Sequence, residues 1–180
     1  MMKKIVTVLI SMLVLFGCNS VAEQKTTVGK VGVFEETGKQ IYYNGKYGFQ
    51  IPIKMNFKFE YLPDDIGVKM LRDSSAEVRD KQTTRMDYYT IEIGVMALSN
   101  TEEKDDLSIY VAGRFLGYNI EFFGDGIFVD ERSGDFAIRH YFLMGADRKY
   151  IYEAYLKVPG FHYGLHKDGF DEFVKTIKIF

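Results

Sequence analysis

Residues 136–158 read FAIRHYFLMGADRKYIYEAYLKV. Phe136, Ile138, His140 and Phe142 recur at period two, the spacing that puts side chains on one face of a strand. After Gly145-Ala146-Asp147-Arg148, which reads as a turn, Tyr150, Tyr152, Ala154, Leu156 and Val158 share one face. Ile151, Glu153, Tyr155 and Lys157 share the other. Phe136–Met144 and Lys149–Val158 are therefore predicted to form an antiparallel hairpin. Large apolar groups stand on both of its faces, as in a sheet covered by other elements on each side.

Working outward, Asn44-Gly45 is a hairpin turn between strands at Ile41–Tyr43 and Tyr47–Ile53. Phe57, Phe59 and Tyr61 alternate with Lys58 and Glu60, and Pro63-Asp64-Asp65 ends that run. Ile91, Ile93, Val95 and Ala97 alternate with Thr90, Glu92, Gly94 and Met96. Residues 72–85, RDSSAEVRDKQTTR, are polar and unpatterned and read as an exposed loop. Longer loops are expected over 62–88 and 119–135.

Two helices complete the pattern. The first has Asn100 or Thr101 as its cap, with acidic Glu102, Glu103, Asp105 and Asp106 in its opening turns. Its apolar stripe is Leu107, Tyr110, Val111, Phe115 and Tyr118. The second starts at Asp168 and carries Phe170, Phe173, Val174 and Ile177 at i, i+3, i+4 and i+7. The order predicts an α+β fold, one antiparallel β-sheet of about six strands packed with two or more helices.

The chain has 180 residues, of which 47% are hydrophobic and 16% aromatic, with a formal net charge of −2. That length suits one domain with its own core, and the apolar content argues against disorder. A near-neutral chain without a basic block is a poor match for nucleic acid held by phosphate contacts. One cysteine excludes an internal disulfide framework.

The N-terminus carries an address. Lys3 and Lys4 precede a charge-free run, IVTVLISMLVLF at residues 5–16. This is shorter than the about 20 apolar residues of a spanning helix and has the layout of a secretory signal. It ends in Leu15-Phe16-Gly17-Cys18, which resembles the lipobox of bacterial lipoproteins. That resemblance implies acylation of the Cys18 thiol and removal of residues 1–17, so that the chain contacts the membrane through its N-terminal lipid. Cleavage removes Lys3 and Lys4, leaving a more acidic body with no attraction to anionic lipid, so the acyl chains must hold it. Asn19 follows the cysteine, which by the same resemblance implies the periplasmic face of the outer membrane where the source has two membranes. Residues 18–40 read as the lipidated N-terminus and tether, with a short strand over Val28–Phe34, and residues 41–180 as a single domain.

A second resemblance rests on YYNGKYGFQIPIK at residues 42–54 and GFDEFVKTIKIF at residues 169–180. Together with the layout between them, these are similar to the opening strand and closing hairpin and helix of PsbP-like domains, the DcrB-like bacterial lipoproteins included. The resemblance implies an α/β/α sandwich. It also implies a non-enzymatic role in binding, since members of that fold serve as photosystem accessory subunits, GTPase regulators and envelope proteins.

The chemistry on offer is sparse. The sequence has no Gly-x-Ser-x-Gly elbow, His-Glu-x-x-His, Walker loop or dinucleotide fingerprint, so no catalytic residue and no cofactor are expected. His162 and His166, four apart, with Asp168 two further on, are the weak candidates for a metal site. Gly160 and Gly164 disfavour the helix that site would need, so two solvated loop histidines are the simpler expectation. His140, within the strand pattern, is expected to be buried and hydrogen-bonded. Gly124-Asp125-Gly126 and Ser133-Gly134-Asp135 read as turns; apolar Ile127, Phe128 and Val129 separate Asp125 from Asp130 and Glu131, which breaks the spacing of a calcium loop. Tyr42, Tyr43, Tyr88, Tyr89, Phe122, Phe123, Phe161 and Tyr163 fall at strand ends and loops and are candidate anchors for a partner.

The leading expectation is a lipid-anchored envelope protein, a non-enzymatic accessory subunit with an envelope protein as partner. Its alternatives are a metal-binding protein or metal-dependent enzyme using His162, His166 and Asp168, and a carrier of lipid or a small ligand.

Overall fold

A computed structural model describes residues 31–36, 38–79, 83–102 and 104–180. The elements are β1 (Val31–Glu36), β2 (Lys39–Asn44), β3 (Phe49–Pro52), β4 (Lys58–Tyr61), β5 (Gly67–Arg79), β6 (Thr84–Ser99), α1 (Leu107–Arg114), β7 (Ile120–Phe123), β8 (Gly126–Ser133), β9 (Phe136–Met144), β10 (Tyr150–Pro159), α2 (Tyr163–Val174) and β11 (Lys178–Ile179). No helix among the described residues is long and apolar enough to cross a membrane.

The fold is α+β and antiparallel, but the expected single sheet of about six strands is corrected to two sheets. A four-stranded sheet runs β1-β2-β3-β11 and a seven-stranded sheet runs β4-β5-β6-β10-β9-β8-β7. The small sheet exists because the chain returns to it: β11 pairs with β3, placing Ile179 opposite Phe49. The Phe180 amide donates to the Gly48 carbonyl (2.9 Å). Gly48 has φ +73°, and a Cβ there would lie 2.6 Å from the Phe180 carbonyl oxygen, so glycine is required both by conformation and by close approach. β1 falls inside the stretch read as tether and pairs with β2 from Val31 opposite Asn44 to Glu36 opposite Lys39.

The expected loops at 62–88 and 119–135 are largely strand. β5 and β6 pair from Gly67 opposite Met96 out to Arg79 opposite Thr84. Their distal half projects past the partners that flank their bases, since β4 reaches only Leu71 and β10 only Glu92. A two-stranded ribbon wetted on much of its surface needs no apolar alternation, which is why residues 72–85 look unpatterned. β7 and β8 pair around Gly124-Asp125 and add the far edge of the sheet.

The large sheet is the middle layer. On one face, Tyr42, Phe49 and Ile51 of the small sheet and Phe170, Phe173 and Val174 of α2 meet Val68, Ile93, Val95, Ala154 and Leu156 in the main core. On the other, Leu107, Val111 and Phe115 close over Ile127, Val129, Phe142 and Ile151. Helices thus cover both faces, with the small sheet sharing one outer layer with α2. α1 is shorter than expected and its cap is Asp106, whose carboxylate accepts the Ser108 amide at 2.7 Å. Asn100 holds the preceding loop, donating to the carbonyls of Lys104 and Arg148. α2 starts at Tyr163, so Asp168 lies within the helix and does not cap it.

Candidate functional site

Cys18 lies outside the described residues. The three histidines divide between the two faces of the large sheet.

His162 ends the short turn after Pro159, and His166 lies one turn along α2. Contrary to the solvated-loop expectation, His162 is 1% exposed. The cause is Tyr89 on β6, which neither glycine argument nor spacing discloses: its ring stacks on the His162 ring with centroids 4.0 Å apart and an 11° interplanar angle. His162 Nε2 donates to Asp87 Oδ2 at 2.7 Å, and the Tyr89 hydroxyl is hydrogen-bonded to His166 Nε2 at 2.8 Å. A neutral His166 ring with an unprotonated Nε2 accepts from that hydroxyl, whereas the imidazolium donates to it. Burial first, then the positive fields of Arg72, His162 and Lys54, hold its pKa below the usual 6.5. Asp168 is exposed on the helix. His162, His166 and Asp168 are not brought together as ligands, and among the described residues no three His, Cys, Asp or Glu side chains converge on a metal-sized site.

Two cations complete this seam. Arg72 opposes Ile91, and Ser74 opposes Tyr89, so Arg72 and Tyr89 are diagonal neighbours on one face of the ribbon, within reach of long side chains. The Arg72 guanidinium lies 5.0 Å from the Phe57 ring centre. Lys54, just beyond β3, donates to the Gly169 carbonyl at 3.3 Å and lies 5.2 Å from the Phe173 ring centre. Gly169 and Phe173 are three and seven residues past His166, so Lys54 runs along the same side of α2. Burial, then Arg72, lowers the Lys54 pKa. Neither cation joins an ion pair among the described residues. Beside Arg72 an open groove of about 610 Å³ follows the free edge of β5, lined by Asn56, Lys58, Arg72 and Ser74 among others.

His140 is buried and hydrogen-bonded, as expected. Its Nδ1 meets Glu153 at 2.7 Å and its Nε2 meets Glu131 at 3.1 Å, with the Phe142 ring parallel to it and Phe115 beside it. Arg114 lies 3.8 Å from the same Glu153.

Arg139, on the opposite face, is 1% exposed and went unread in the sequence. It donates to Asp171 (2.7 and 3.2 Å), Asp130 (2.9 and 3.0 Å) and Glu121 (3.2 Å), and lies 3.9 Å from the Phe128 ring centre. Burial opposes its charge, but the bonds to Asp171 and Asp130 outweigh that and raise its pKa further. Tyr163 also donates to Asp130, and burial followed by that carboxylate raises its pKa. The signal available was an arginine in a strand whose same-face neighbours, Ala137 and Tyr141, are apolar.

Of the aromatics singled out, Tyr42 is core, and Tyr43, Tyr89, Phe123 and Tyr163 are half-buried. Tyr88, Phe122 and Phe161 stay 79%, 71% and 77% exposed. No protein-family model matches the chain, and none of the curated proteins does.

Proposed function

We propose that the protein is a lipid-anchored component of the bacterial cell envelope, held by acylated Cys18, whose PsbP-like α+β domain binds an envelope protein as a non-enzymatic accessory subunit. The observation that carries the binding reading is the exposure of Tyr88, Phe122 and Phe161, large rings that contribute nothing to either core. Exposed aromatics supply much contact area at little entropic cost and dominate interface energetics. The anchoring reading is supported by Lys3-Lys4, the apolar run and Leu15-Phe16-Gly17-Cys18.

The test combines metabolic labelling with a fatty acid and site-specific photo-crosslinking at residues 88, 122 and 161 in cells. Label on the wild type but not on Cys18→Ser, with one stoichiometric crosslinked envelope protein, is the expected result. An unlabelled wild type overturns the anchor. Turnover of a substrate by the purified protein, abolished by substitution of its polar side chains, overturns the accessory role.

A further inference from the structure

We propose that the seam between α2, the segment after β3 and the β5–β6 ribbon is a binding site for a phosphate-type oxyanion, held by Arg72, Lys54 and the Tyr89 hydroxyl, with His166 responding behind Tyr89. These side chains come from separate elements and border one seam: Arg72 is a diagonal neighbour of Tyr89, which lies 2.8 Å from His166, and Lys54 reaches Gly169 and Phe173 on the same side of α2.

The charge balance there is one-sided. Asp73 accepts from the Thr90 hydroxyl (3.1 Å), Asp87 from His162, Asp171 from Arg139 and Glu172 from Lys175, while Asp168 on α2 is exposed to solvent. Arg72 lies over the Phe57 ring, and Lys54 over the Phe173 ring with one bond to the Gly169 carbonyl. Cation–π contact offsets part of the loss of water but leaves every N–H donor not already bonded to the protein in search of an acceptor. Burial first, and then the mutual repulsion of these cations, lowers the pKa of both Lys54 and His166 when the seam is empty. An oxyanion removes that repulsion. Arg72 offers a planar fork suited to two oxygens, and Lys54 a point charge.

His166 makes the site responsive. Empty, it is neutral and accepts from Tyr89. With an anion present the imidazolium is favoured; its Nε2–H then donates to the phenol oxygen, and the Tyr89 hydroxyl hydrogen turns free to donate to the anion. One proton is taken up from solvent and no covalent bond changes. Free phosphate or phosphate esters and the phosphate of a lipid headgroup share this chemistry.

The test follows the His166 ring by NMR in the full-length acylated protein held in neutral detergent micelles, assigned with His166→Gln. Inorganic phosphate, compared with chloride at equal ionic strength to remove screening, is expected to raise the His166 titration midpoint saturably and leave His140 unmoved. Arg72→Gln should weaken the apparent affinity at least about tenfold, and Arg72→Lys, which keeps charge but not the fork, by less. Unchanged His140 signals certify that each variant is folded. A second arm replaces micelles by phosphatidylglycerol vesicles without free phosphate. A shift with phosphate assigns a soluble source, and a shift with vesicles alone assigns the headgroup. No shift in either arm, or an equal shift in Arg72→Gln, overturns the proposal.

Discussion

Asp171 on α2 receives two hydrogen bonds from Arg139 on β9, at 2.7 and 3.2 Å, and this pair pins the last helix to the sheet across a buried guanidinium. Asp130 and Glu121 bind the same guanidinium from β8 and β7, so one side chain joins four elements. Removing it leaves Asp171 and Glu121 without that donor and Asp130 with Tyr163 alone, whereas removing Asp171 leaves the cation two partners. Arg139→Leu is therefore expected to destabilise the fold by about 3 kcal/mol and Asp171→Asn by about half as much. Urea unfolding checks the order; equal losses would refute the shared network.

On the opposite face, His140 and Glu153 form a buried pair whose members are costly singly. Glu153→Leu leaves the ring facing only Glu131, and His140→Leu leaves Glu153 with only the more distant Arg114. Each single change should cost about 2–3 kcal/mol, and the double variant less than their sum by about 1–3 kcal/mol. A double-mutant cycle by chemical denaturation measures that coupling, and strict additivity would show the contact to be energetically idle.

What the sequence disclosed follows the physics of burial. β9 and β10 were legible almost to the residue because Phe142, Tyr152 and Leu156 must alternate between two packed faces. The Asn44-Gly45 hairpin and the Gly145–Arg148 turn were legible from turn chemistry. The ribbon at 72–79 and 84–91 was not, because hydrogen-bond ladders rather than side-chain burial hold it. The site was legible only in part. His162 and His166 were noticed for their spacing, while Tyr89, which separates them, and Arg72 and Lys54, which charge the seam, lie 73 or more residues upstream of His162 and meet it only through the fold. Arg139 hid in an apolar strand because its compensating acids are scattered over β7, β8 and α2.

Gly94 is required by what covers it. Tyr155 on β10 pairs with Gly94 on β6, and a Cβ there would sit 2.1 Å from the Tyr155 ring. The same phenol donates to Glu92 at 2.7 Å. Gly94→Ala must push the ring aside and break that bond, at an expected cost of about 1–3 kcal/mol. Tyr155→Ala in the same chain relieves the clash, so Gly94→Ala should cost much less there. Thermal unfolding of the four proteins decides it, and an undiminished penalty would place the clash elsewhere.

His166 gives the fold a pH dependence of definite sign. The unfolded chain titrates near the usual 6.5, whereas burial, followed by Arg72, His162 and Lys54, lowers the folded-state value. Between the two values the unfolded state binds more protons, so stability rises with pH across that window. The contribution is complete above 6.5 and is lost as pH falls toward the folded-state value, where the imidazolium no longer accepts from Tyr89. His166→Gln keeps an acceptor for that hydroxyl and cannot titrate. Its unfolding free energy should therefore fall less steeply than that of the wild type between pH 6.5 and the acid side, with the two curves parallel at higher pH. Arg72→Gln, which removes the largest of the charges facing the ring, should move the wild-type inflection upward. Chemical denaturation at a series of pH values measures both effects, and a wild type as flat as His166→Gln would show that the ring is not held neutral by its neighbours.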